Sequence, residues 1–84
     1  MSESRRVTVA TTQFSCSADR TTNIERAEAM VRRAAAAGAN VILLQELFET
    51  PYFCIDQDVR HFALATTVDE NPALRHFAPI AREL

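Results

Sequence analysis

The stretch Gly38-Ala39-Asn40-Val41-Ile42-Leu43-Leu44-Gln45-Glu46 sets the architecture. Val41 to Leu44 is apolar without alternation, the pattern of a strand covered on both faces. Gly38, just ahead of it, suits the left-handed position that closes a helix. Towards the N-terminus, Ile24, Ala27, Val31 and Ala34 share one helical face, which Met30 and Ala35 widen, while Arg26, Arg32 and Arg33 lie off it. Thr22-Asn23-Ile24-Glu25 has capping-box spacing, so the helix is predicted over about 22–37. Earlier still, Val7 to Phe14 is β-branched and reads as a first strand, followed by a polar loop from Ser15 to Thr22. Strand, helix and strand in succession make a βαβ unit with parallel strands, and the fold class is α/β.

Composition agrees. The chain has 84 residues, 48% of them hydrophobic and 24% charged, which excludes a disordered segment. One Gly and three Pro are too few for the closely spaced turns of an all-β sandwich, and fourteen alanines favour helices. The net charge of −2 is spread along the chain without a basic patch, so a nucleic-acid partner is not expected. The longest strongly apolar run, Val41 to Leu44, is far short of the roughly 20 residues of a spanning helix, so no membrane partner is expected either. Arg5-Arg6 is followed by a stretch broken by Thr8, Thr11, Thr12 and Gln13, which is no export signal. The reading is cytoplasmic, with Cys16 and Cys54 as free thiols. Cys16, Cys54, His61 and His76 match no zinc spacing.

Beyond Glu49 the sequence turns irregular. Met1 to Arg6 reads as a frayed start, and Asp56, Asp58, Asp69 and Glu70 as solvated turns or helix starts. A short helix is predicted near Asp58 to Ala65, with Val59, Phe62 and Ala63 on one side. Asn71 reads as an N-cap with Pro72 at N1, opening a helix whose stripe is Leu74, Phe77, Ala81 and Leu84. Pro79 within it is expected to kink or split that helix.

Two parallel strands do not make a stable sheet alone, and one helix can cover only one face of Val41–Leu44. Residues 1–84 are therefore expected to be the N-terminal part of a single, larger α/β domain.

The chemistry concentrates at Leu43-Leu44-Gln45-Glu46-Leu47-Phe48-Glu49. Ligands bind at the carboxyl ends of strands in open α/β sheets. Glu46 stands at such an end between Leu44 and Leu47, where partial desolvation would suit a general base; the alternative is a carboxylate that caps a loop or pairs with an arginine. Cys54 is expected to be a packed thiol, Glu49 solvated or salt-bridged, and His61 and His76 surface or hydrogen-bonded groups.

Val7-Thr8-Val9-Ala10 through Gln13, Asn23 and the helix to Gly38-Ala39-Asn40, then Val41 to Phe48 and Tyr52-Phe53-Cys54, together resemble the start of the nitrilase superfamily of carbon–nitrogen hydrolases. Gln45 to Cys54 is most like the N-carbamoylputrescine amidase branch, with the β-ureidopropionase branch close behind. The resemblance implies an α-β-β-α sandwich that pairs through its outer helices into homo-oligomers. It implies a Glu–Lys–Cys triad acting on a small-molecule amide or carbamoyl-amine, with no metal or organic cofactor. Glu46 stands at the family's general base, and Tyr52 where relatives place a pocket aromatic; the alternative for Tyr52 is to pack its loop against the body.

The chain departs from that pattern in two respects. All nine basic residues are arginines, so the lysine is missing, and neither Cys16 nor Cys54 matches the nucleophile motif. These residues alone are expected to be inactive. Two rival readings differ in class: a non-catalytic remnant or interaction module, and a nucleotide-binding βαβ. The second is weak, because the loop Ser15 to Thr22 lacks the glycines that let backbone approach a phosphate.

Overall fold

The computed structural model describes residues 4–55 and 58–84. Of the residues read above, Met1 to Glu3 and Asp56 lie outside them. The regular elements are strand β1 (Val9–Thr11), helix α1 (Arg20–Ala36), strand β2 (Val41–Leu43) and helix α2 (Pro72–Glu83), with 3-10 turns at Phe53–Ile55 and Val59–Leu64 between β2 and α2. The strands pair in parallel, Val9 opposite Val41, Ala10 opposite Ile42 and Thr11 opposite Leu43. The βαβ unit expected from the sequence is present, with shorter strands.

Helix α1 begins one turn earlier than the capping box predicts. Asp19 is the N-cap: its carboxylate accepts from the Thr21 amide at 3.2 Å and the Thr22 hydroxyl at 2.6 Å. An anionic cap also meets the positive end of the helix dipole, which a threonine cannot. Thr22, expected as the cap, instead supports Asp19. The far end follows expectation. Gly38 has φ +97°, its amide donates to the Ala35 carbonyl, and the Ala39 amide donates to that of Ala34, the bond pattern of a Schellman ending. That turn delivers the chain into β2 within three residues.

The core lies between α1 and α2. Ile24, Ala27 and Val31 are buried on α1, and Ala73 and Ile80 on α2. The predicted α1 stripe is correct, but that of α2 is rotated: Ala73 and Ile80 face the body, with Phe77 half-buried, while Leu74 and Leu84 are exposed. Asn71 caps α2 through its side chain on the Leu74 amide at 2.9 Å, with Pro72 in the first turn, as expected. Pro79 neither splits nor ends the helix, which runs on to Glu83. Arg75 and Pro79 both face solvent, so the carbonyl freed by the missing N–H is open to water.

The two helices are clasped at the surface. Arg32 pairs with Glu28 at 2.7 Å and with Glu83 across the gap at 2.6 Å, and His76 Nε2 meets the other Glu28 oxygen at 2.5 Å. Arg32, then His76, hold the Glu28 carboxyl below its ordinary range, and Arg32 does the same for Glu83.

The other sheet face is bare. Val9 is 63% and Leu43 64% exposed, with Val7 and Val41 beside them. Ile42 and Leu44, on the α1 side, are half-buried. Burial on both faces, expected for Val41–Leu44, is thus met on one only. Further along, the short helix predicted near Asp58 to Ala65 is the second 3-10 turn, whose Val59 and Phe62 are exposed, at 74% and 81%. The Cα radius of gyration is 15.4 Å. A compact chain of this length would have about 12 Å. Apolar surface on this scale is the kind that meets another surface.

Candidate functional site

The backbone leaves β2 at Leu44 and turns over residues 46–49. Glu46 opens this turn, and Leu47 follows with φ +55°. A branched side chain in the left-handed region costs about 1–2 kcal/mol, so the surrounding structure must impose it.

Four side chains do so. Gln45 places its carboxamide beside Phe14: Oε1 accepts from the Phe14 amide at 2.5 Å, and Nε2 donates to the Phe14 carbonyl at 2.9 Å. Asn23 is wholly buried at the start of α1. Its Oδ1 accepts from the Ser17 amide at 2.7 Å and the Ser17 hydroxyl at 3.2 Å, and its Nδ2 donates to the carbonyls of Ser17 and Glu49, both at 2.8 Å. Every bond that this amide can make on those partners is made, which offsets the cost of burying it. Glu49, at the far end of the turn, accepts from the Ala73 amide in the first turn of α2 at 3.1 Å and pairs with Arg20 at 3.5 Å. The expectation of a salt-bridged Glu49 holds, and the bond to α2 adds a link of helix-terminal type. The Cys16 thiol donates to the Phe48 carbonyl at 3.1 Å.

Beside this turn lies an open cleft of about 840 Å³. Leu44, Leu47, Phe48, Phe53 and Phe62 give it an apolar wall, and Arg20 lies at its edge with a bond to the Leu64 carbonyl at 3.1 Å. Gln45 and Leu47 line the cleft, whereas Glu46 and Tyr52 do not. Glu46 is exposed, which corrects the expected partial desolvation. Glu46 opens the turn beyond the strand pair, where no described residue covers it. Tyr52 is 52% exposed and makes no wall. Cys54, expected to be packed, is also exposed. Neither cysteine is in a disulfide.

The model of the carbon–nitrogen hydrolase family matches residues 8–84, nearly the whole chain. The chain belongs to that family. Among carbon–nitrogen hydrolases, it is 45% identical over 80 residues to an N-carbamoylputrescine amidase of Arabidopsis thaliana, covering 95% of this chain and 27% of that protein. It is 44% identical over 82 residues to the tomato (Solanum lycopersicum) N-carbamoylputrescine amidase, covering 98% of this chain and 27% of that protein. A citrullinase of Francisella tularensis is 34% identical over 77 residues, covering 92% of this chain and 27% of its own length. The chain thus spans about a quarter of the curated relatives it matches. Its parallel strand pair and helices agree with the N-terminal portion of the α/β fold expected for this family.

Sequence reasoning singled out Glu46 but not the residues that hold its turn. Gln45 bonds across 31 positions and Asn23 across 26, so no local pattern reveals either. The one available signal is a polar residue in line with the apolar helix face: Asn23 lies four residues before Ala27 and eight before Val31. Among the described residues, no helix is long and apolar enough to cross a membrane.

Proposed function

We propose that these residues form the N-terminal part of a carbon–nitrogen hydrolase that cleaves the carbamoyl group of N-carbamoylputrescine, with Glu46 as its general base. The observation that carries this reading is a carboxylate at the end of a parallel strand, on a turn held from both sides, in a chain 40–45% identical to N-carbamoylputrescine amidases. Glu46 takes the proton from a cysteine thiol outside these residues. The thiolate attacks the ureido carbonyl, and a lysine, also from outside, steadies the oxyanion. As the tetrahedral adduct collapses, the C–N bond to the terminal nitrogen breaks, and Glu46 returns its proton so that ammonia leaves. Water, deprotonated by Glu46, then attacks the S-linked thiocarbamate; the C–S bond breaks, the thiolate regains its proton from Glu46, and a carbamate leaves. The carbamate loses carbon dioxide to give putrescine. The chain contributes the base and part of the wall; the whole enzyme works as a homo-oligomer.

A second reading has support from the citrullinase relative, whose name implies a substrate that also ends in a ureido group. The shared group is what Glu46 would act on; the distal amine or amino acid would be read elsewhere. Ammonia release by the full-length polypeptide from N-carbamoylputrescine, citrulline, N-carbamoyl-β-alanine and a simple aliphatic amide separates the cases. The proposal expects the highest kcat/KM for N-carbamoylputrescine. Preference for a ureido acid would move the assignment to that class, and no release from any of them would remove it.

A further inference from the structure

The hydrogen-bond ladder of the sheet stops short of Glu46 in an unusual way. In the observed register the Thr12 amide donates to the Leu43 carbonyl at 3.0 Å. One more rung of a parallel ladder would have the Phe14 amide donate to the Gln45 carbonyl and the Phe14 carbonyl accept from the Leu47 amide. The Gln45 side chain takes both of those places, through Oε1 and Nε2. Phe14 is satisfied as if the strand went on, while the main chain of residues 45–47 is released from the sheet. That release is what allows the Glu46 turn and the left-handed Leu47.

We propose that Gln45 is the positioning residue for Glu46: its carboxamide substitutes for a rung of the ladder and so fixes where the turn leaves the sheet. The inference rests on the reading of Glu46 as general base. Gln45 touches no substrate in this scheme. It acts by setting the origin of the Glu46 side chain, and reacting groups misplaced by about 1 Å cost roughly a hundredfold in rate. The Cys16 thiol, 3.5 Å from Gln45 Nε2, and the Asn23 bond to the Glu49 carbonyl hold the same turn from its other side.

The test uses the full-length polypeptide and reads kcat and KM separately, at saturating substrate and per folded enzyme. Gln45→Met keeps the side-chain length and removes both bonds. Its kcat should fall about 10–100-fold with KM changed less than about threefold. Gln45→Glu, which keeps the acceptor for the Phe14 amide and loses the donor, should fall less, and it carries the test if Gln45→Met does not fold. Combining the Gln45 change with Glu46→Asp, which moves the carboxylate by one methylene, should give a loss well below the product of the two separate losses. Multiplying losses, or a Gln45 variant that loses thermal stability while keeping kcat within about twofold, would overturn the positioning role. Glu46→Gln run alongside distinguishes the levels: if it stays active, the base assignment fails and this inference with it. If it is dead while the Gln45 variants keep their kcat, only this inference fails.

Discussion

Leu47 shows how much the surrounding bonds matter at the scale of one residue. Its left-handed backbone is tolerable for leucine and much less so for a β-branched side chain. Leu47→Ile should therefore destabilise the fold by about 1–2 kcal/mol, read as a lower midpoint in urea, while Leu47→Gly should be tolerated. Equal losses from the two would mean that the left-handed conformation is not maintained in solution. Gly38 is the simpler case. A Cβ built there meets nothing within 4 Å, so the cost of Gly38→Ala is backbone conformation alone, about 1 kcal/mol. Gly38 and the place of Glu46 beyond a strand end were legible in the sequence, because a Schellman glycine and the end of an apolar run are local signals. The bonds of Gln45 were not, since they exist only once Phe14 lies beside it.

At the scale of elements, helix α1 offers two competing caps three residues apart, and the structure uses the earlier one. Asp19→Ala should cost about 1 kcal/mol, and Glu25→Ala, which breaks only the unused box, should cost much less. Denaturation midpoints of the two variants rank the caps; the reverse order would restore the box. The clasp between α1 and α2 sets the acid response. Arg32 and His76 lower the Glu28 pKa and Arg32 lowers that of Glu83, so both carboxyls bind protons more weakly folded than unfolded. Their stabilisation is fully present above the ordinary value of 4.5 and is lost as pH falls through the lowered folded values. Glu28→Gln should flatten the fall in stability below about pH 4.5 in a pH series of thermal midpoints; an unchanged acid limb would show that the clasp contributes nothing. Helix α2 reads well at its start, where Asn71 and Pro72 act locally. It reads poorly along its face and at Pro79, because its partner helix and its solvent side decide those points.

Over the whole molecule the two sheet faces differ: Ile42 and Leu44, on the α1 side, are half-buried, while Val9 and Leu43 face out. The uninterrupted apolar run from Val41 to Leu44 foretold two covered faces, and within these residues one of the covers is missing. Glu46, Tyr52 and Cys54 are exposed where the sequence pattern suggested enclosure, because burial depends on tertiary contacts that local pattern does not specify. The family match places these residues in a carbon–nitrogen hydrolase, and the account turns on what Glu46 does there. The direct measurement is ammonia release from N-carbamoylputrescine by the full-length polypeptide carrying Glu46→Gln, alongside its far-ultraviolet circular dichroism. The account predicts an unchanged spectrum and a loss of turnover of at least roughly a hundredfold; near-normal turnover in a folded variant would contradict it.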